Sequence, residues 1–141
     1  MTLRQESHEF NIRSEGPGAV DFTDQIRRWV QETGVEQGVL TLYVRHTSAS
    51  LVVQENADPQ VLRDMEAFLR RLVPPGDALF RHTAEGPDDM PAHLRSTLTN
   101  TSLSIPVLDG QPVLGTWQAI YLYEHRDQPH RRQVVAHLLG E

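Results

Sequence analysis

The sequence predicts one α+β domain built on a largely antiparallel sheet. Three observations predict it. The elements read in the order β-α-β-β-α-loop-α-β-β-β, and Asp109-Gly110 is a hairpin turn between two alternating runs. The 141 residues, 38% of them hydrophobic, contain no linker, repeat or low-complexity tract, so residues 1–141 form a single domain.

From Glu6 to Arg13 the residues alternate, with His8, Phe10 and Ile12 on one side, which predicts a first strand. Gly16-Pro17-Gly18 breaks it. Phe22, Ile26, Trp29 and Val30 then fall at helical spacing over Phe22 to Thr33, with Asp21 as N-cap and Gly34 past the end. Val39 to His46 alternates cleanly, placing Leu40, Leu42, Val44 and His46 on one face of a strand. A short strand, Ser50 to Gln54, follows.

Asp58 and Pro59 form a helix-start signal. Val61, Leu62, Met65, Phe68, Leu69 and Leu72 make the apolar stripe of the second helix, which Pro74-Pro75-Gly76 ends. Asp77 to Pro91 lacks periodicity and reads as a loop, followed by a short helix at about Pro91 to Thr99. Leu103, Ile105 and Val107 alternate, Val113 to Tyr123 resumes strand character, and Gln133 to Leu139 closes the domain. Within the 113–123 run, Trp117 and Gln118 point to opposite faces; Trp117 is assigned to core packing and Gln118 to a ligand or inter-subunit hydrogen bond.

Composition narrows the chemistry. No cysteine is present, which excludes a disulfide framework, a thiolate metal site and a cysteine nucleophile. All 13 basic residues are arginine, so no Schiff-base lysine or P-loop lysine exists. The net charge of -6 argues against a duplex nucleic-acid partner. Without a membrane-length apolar run or a signal-peptide core, the expected location is the cytoplasm, with no membrane partner.

Any metal must therefore rest on histidine and carboxylate. His82 to His93 packs two imidazoles and three carboxylates, Glu85, Asp88 and Asp89, into twelve residues around Gly86-Pro87. These are the ligand types of zinc, manganese or iron in a cysteine-free protein. His46, at a strand end beside Thr47, Ser48 and Ser50, is a natural third ligand from a rigid element. The same residues also fit solvated loop groups, helix-capping acids and a packed strand-end histidine, so residue types alone leave both uses open. In the polar loop His125 to Arg132, the arginines suit bidentate phosphate binding or a solvated turn.

His46-Thr-Ser-Ala-Ser-Leu51, Glu55-Asn-Ala-Asp-Pro59, His82 to Arg95, Ser104-Ile-Pro-Val107 and Leu114-Gly-Thr-Trp-Gln-Ala-Ile-Tyr121 together resemble the YjbQ-like family, whose members carry the label secondary thiamine-phosphate synthase. The resemblance spans nearly the whole chain in order. It implies a mixed α+β, β-sandwich-like fold with two to three helices, a homotrimer, and a pocket near the histidine segments at a subunit boundary. It implies a divalent metal, zinc first with magnesium or manganese as alternatives, held by His46, His82 and His93 with Glu85, Asp88 and Asn56 around them as catalytic groups. Arg95 stands where the family commonly has lysine. Arg95, Arg131, Gln118 and Ser48 are then the expected substrate contacts.

The activity implied joins a pyrimidine pyrophosphate to a thiazole phosphate and releases pyrophosphate, so the expected partner is a phosphorylated small molecule. Two other readings use the same residues: a non-catalytic trimer that binds a metal or metabolite, and a metal-dependent hydrolase.

Overall fold

The computed structural model describes residues 2–141. In chain order the elements are β1 (Arg4–Arg13), β2 (Gly18–Asp21), α1 (Thr23–Thr33), β3 (Gly38–Val44), β4 (Ala49–Glu55), α2 (Pro59–Leu72), α3 (Asp89–Leu98), β5 (Ser102–Leu108), β6 (Gln111–Pro112), β7 (Gln118–Glu124) and β8 (Arg131–Gly140). Every strand pairing is antiparallel. A five-stranded sheet runs β1-β8-β3-β5-β6 and a three-stranded sheet runs β2-β7-β4. The α+β class read from the sequence is the observed one.

The two sheets share one apolar core. Strand alternation sends Leu40, Leu42 and Val44 of β3, Val134, Ala136 and Leu138 of β8, and Ile120 and Leu122 of β7 into it, where α1 adds Phe22, Ile26 and Val30. Successive residues of β3 on the other face, Val39 and Tyr43, stay exposed. Gly38 and Gly140 lie opposite one another where β3 meets β8; a Cβ on either would collide with a backbone carbonyl, of Leu139 or Gln37. The hairpin signal is realised directly, with Asp109 and Gly110 both at positive φ (53° and 73°).

Some local expectations change. The run Val113 to Tyr123 is not one strand: residues 113–117 form a connection that carries the chain from the five-stranded sheet to the three-stranded one. Trp117 is consequently 62% exposed and is no core residue. Val39 to His46 stops as a strand at Val44, and His46 lies in the turn beyond. A short strand, β2, precedes α1; Asp21 ends it and accepts the Thr23 amide (2.9 Å), although Phe22 holds the N-cap position. The third helix starts at Asp89, two residues earlier than its apolar residues indicate.

Antiparallel pairing brings four chain ends together. The end of β3, the start of β4, the end of β7 and the start of β8 lie at one end of the two sheets, since Val44 pairs Val134 and Ala49 pairs Glu124. Helix α3 is fastened there along its length: Ser96 Oγ donates to the Ala49 carbonyl (3.1 Å) and His93 Nδ1 to the Thr47 carbonyl (3.0 Å).

Candidate metal centre

Asp89 and His93 are four residues apart in α3 and therefore share a face. His82 reaches them from the preceding loop. Asp89 Oδ2 lies 2.7 Å from His82 Nε2 and 3.2 Å from His93 Nε2, and one ligand atom from each residue falls within 4.8 Å of the others. Asp89 is buried, whereas both imidazoles reach the surface. Burial pushes the Asp89 carboxyl up, but the His82 hydrogen bond and the charges of His93 and Arg126 outweigh it, leaving the group below its usual range.

The donor set passes a direct test for a cation. The Thr47 carbonyl can only accept, so the proton of neutral His93 is on Nδ1 and its Nε2 presents a lone pair. That lone pair faces a carboxylate oxygen, which also only accepts. A metal ion, or a second proton on the imidazole, relieves the opposition. Orientation of a ligand imidazole by a carbonyl on its other nitrogen is the usual outer support of a metal site.

Arg126, just beyond β7, holds the acids in place. Its Nη1 lies 3.0 Å from Asp89 Oδ1, its Nε donates to Asp88 Oδ2 (2.8 Å), and its Nη2 donates to the Glu85 carbonyl (2.9 Å). The Arg126 hydrogen bond holds the Asp88 carboxyl below its usual range despite partial burial, and Asp88 also takes the Asp127 amide (2.9 Å). Asp88 is thus a clamp on the loop. The Glu85 carboxylate is exposed and 3.8 Å from Arg126 Nη1.

The structure gathers only some of the residues picked out in the sequence. His82 and His93 come together, with Asp89 as the third member of the cluster. His46 does not join them: its Nε2 accepts the Gln133 amide (2.9 Å), and its Nδ1 is 3.4 Å from Arg132 Nη1. Burial and the adjacent Arg132 charge lower its proton affinity. Ser48 is buried beside it, accepting from Arg132 Nη2 at 3.0 Å.

Arg95 lies in the interior, donating to the Val73 carbonyl (2.8 Å), with its Nε unpaired. Asn56 and Gln118 are at the far ends of β4 and β7, about 20 Å of strand away from the cluster. The Gln118 side-chain oxygen is occupied by the Gly115 amide (2.7 Å). Arg131 is exposed at the start of β8, beside Arg13.

Asp89 counts among the ligand-type carboxylates and Arg126 and Arg132 among the loop arginines, but the sequence assigns none of the three a role of its own. The spacing of Asp89 and His93 was a usable signal, once the helix is known to begin at Asp89. Arg126 and Arg132 fall in the polar loop already read as phosphate-binding or solvated, but nothing local pairs Arg126 with Asp88 or Arg132 with Ser48, 38 and 84 residues away.

Two antiparallel sheets around one core, with a histidine-carboxylate cluster where four strand ends meet the start of a helix, define a small α+β protein with a candidate metal centre. Residues 8–141 match the family model described as UPF0047 protein YjbQ-like. The chain belongs to this family. It is 49% identical over 140 residues to a UPF0047 protein of Synechocystis, covering 99% of this chain and 95% of that protein. It is 48% identical over 142 residues to the UPF0047 protein YjbQ of Escherichia coli O157:H7, covering 100% and 96%. Among solved structures, a hypothetical protein of Aeropyrum pernix K1 superposes with a TM-score of 0.86 at 34% identity, covering 96% of this chain and 99% of that one. A YbjQ-like protein of unknown function from Sulfolobus solfataricus P2 gives 0.85 at 25% identity, covering 98% and 100%.

Proposed function

We propose that His82, Asp89 and His93 hold a divalent metal ion, zinc first, and that the protein is an enzyme acting on a phosphorylated small molecule at this centre. The observation that carries the reading is the His93 Nε2 lone pair set 3.2 Å from Asp89 Oδ2 while Nδ1 is committed to Thr47. Two nitrogens and one oxygen are a zinc-type donor set, and three protein ligands leave a position open. When bound, the metal would supply a Lewis acid that offsets negative charge developing on a leaving group.

The chain's own residues supply the rest. Arg126 fixes Asp89 and Asp88, so the carboxylate facing the histidines keeps its orientation. His82 has Asp89 as its side-chain hydrogen-bond partner among the described residues and packs against the His93 ring. Formation of thiamine phosphate with release of pyrophosphate is the specific reaction proposed, on the strength of the sequence resemblance; the thiazole nitrogen attacks the pyrimidine methylene carbon as its bond to pyrophosphate oxygen breaks.

A homotrimer belongs to the same proposal. Val39 and Leu139 are cross-strand partners on the outer face of the five-stranded sheet, and Tyr43 lies on that face too; all are exposed. Large apolar side chains exposed on one sheet face suit a subunit contact.

The test begins with chelator-treated protein titrated with zinc in a calorimeter, expecting one ion per chain. Asp89→Asn and His93→Ala should each weaken binding by tenfold or more. No uptake, or uptake unchanged in both variants, overturns the metal centre. Zinc-loaded protein is then assayed for pyrophosphate release from the pyrimidine and thiazole substrates; metal binding without turnover removes the synthase assignment and leaves the centre.

A further inference from the structure

A cavity of about 280 Å³ opens beside His93 and is walled by His46, Thr47, Ser96, Thr97 and Thr101. His46 is the wall that meets the interior: Arg132 and Ser48 lie buried behind it, and there hydrogen-bond donors meet with nothing to receive them. The Gln133 amide donates to His46 Nε2, so that nitrogen is unprotonated and the proton of the neutral ring is on Nδ1. Nδ1 stands 3.4 Å from Arg132 Nη1, and a guanidinium nitrogen only donates. This pair is donor against donor.

The rest of Arg132 is fully occupied. Nε donates to Glu124 Oε2 (2.7 Å), and Nη2 is shared among Glu124 Oε1, the Ser48 carbonyl and Ser48 Oγ. Nη1 has no acceptor among the described residues. Ser48 Oγ, which accepts from Nη2, keeps its own proton free to donate. Glu124 is buried, held below the usual carboxylate range by Arg132 and Ser14 against the upward push of burial. It fixes the guanidinium from the Nε–Nη2 edge and leaves the Nη1 edge turned to His46.

We infer that His46 Nδ1, Arg132 Nη1 and the Ser48 hydroxyl form an oxyanion subsite that takes the phosphate of the substrate. Several acceptor oxygens on one anion match several converging donors, and arginine suits phosphate in particular. The subsite adjoins the candidate centre through Thr47, which follows His46 in the chain and receives His93 Nδ1 on its carbonyl. The inference deepens the metal reading by naming the group the substrate carries, yet its donors are separate from the three metal ligands.

Inorganic phosphate is the probe, titrated against chelator-treated and zinc-loaded protein at constant ionic strength, with zinc affinity measured in parallel. His46→Gln keeps an acceptor for the Gln133 amide and deletes the Nδ1 donor. Arg132→Lys keeps a positive charge for Glu124 and deletes Nη1. Wild type should bind phosphate saturably and shift the His46 Nδ1–H proton resonance; each variant should lose about tenfold or more in phosphate affinity with zinc affinity unchanged. No saturable phosphate binding, wild-type affinity retained in both variants, or loss only in His82→Ala overturns the subsite. Absence of zinc uptake with phosphate binding intact would instead overturn the metal centre and leave the subsite standing.

Discussion

His93 Nδ1 donates to the Thr47 carbonyl across 3.0 Å, joining the first turns of α3 to the turn after β3. This single bond sets which nitrogen of His93 can meet a metal. Nitrogen NMR should show His93 protonated on Nδ1 in the neutral ring, and zinc should move the Nε2 resonance while the Nδ1 proton persists. A zinc-induced shift of Nδ1 instead would contradict the geometry.

Arg126 is a positioning residue for the cluster. Arg126→Gln leaves Asp88 and the buried Asp89 without their cation and should cost about 2 kcal/mol or more of stability. Zinc affinity should fall by about tenfold as Asp89 loses its fixed orientation. Arg126→Lys should restore part of the stability and less of the affinity, because one ammonium cannot serve Asp88, Asp89 and the Glu85 carbonyl together. Titration calorimetry and urea unfolding read the two effects separately.

His125 is fully buried, and burial, reinforced by the charge of Arg95, pushes its pKa down to about 4. Its Nε2 lies 2.8 Å from Ser50 Oγ, which accepts from Thr99 Oγ1 (2.7 Å), and Thr99 Oγ1 also lies 2.8 Å from the Arg95 carbonyl. The folded protein keeps this ring neutral, while the unfolded chain protonates it near pH 6.5. Its contribution is therefore intact above about pH 6.5 and declines as pH falls toward 4, by up to about 3 kcal/mol. Urea unfolding from pH 7 to pH 4 should show this loss, and His125→Gln should flatten it.

Tyr43 sits on the exposed face beside Val39 and also borders the cavity next to His93. Tyr43→Glu places a charge on the proposed subunit contact. Light scattering should report a trimer for wild type and smaller species for the variant, with the circular dichroism spectrum retained. A monomeric wild type would refute the assembly.

The fold was legible because its signals are local. Alternation in β1, β3 and β5, the Asp58-Pro59 start of α2 and the Asp109-Gly110 turn all sit within a few residues of what they specify. The errors fall where the chain changes partners. Between Val113 and Trp117 the apolar pattern continues although the strand leaves one sheet for the other, and the pattern cannot show that the pairing edge has changed. Asp89 reads as loop because Pro91 is itself a helix-start signal, two residues after the start observed.

By itself the sequence determined the family and narrowed the available donor types. Without cysteine or lysine, any metal falls to histidine and carboxylate and any fixed cation to arginine, and the segment His82–His93 holds the candidate ligands within twelve residues. Tertiary structure decided which of these residues meet. Antiparallel pairing placed Val44 beside Val134 and Ala49 beside Glu124, which carried His46 to Arg132 and Gln133 rather than to His82. The same pairing sent Asn56 and Gln118 to the opposite end of the sheets. Which strand ends are neighbours depends on long-range hydrogen bonding between segments some 90 residues apart, and no local spacing encodes that.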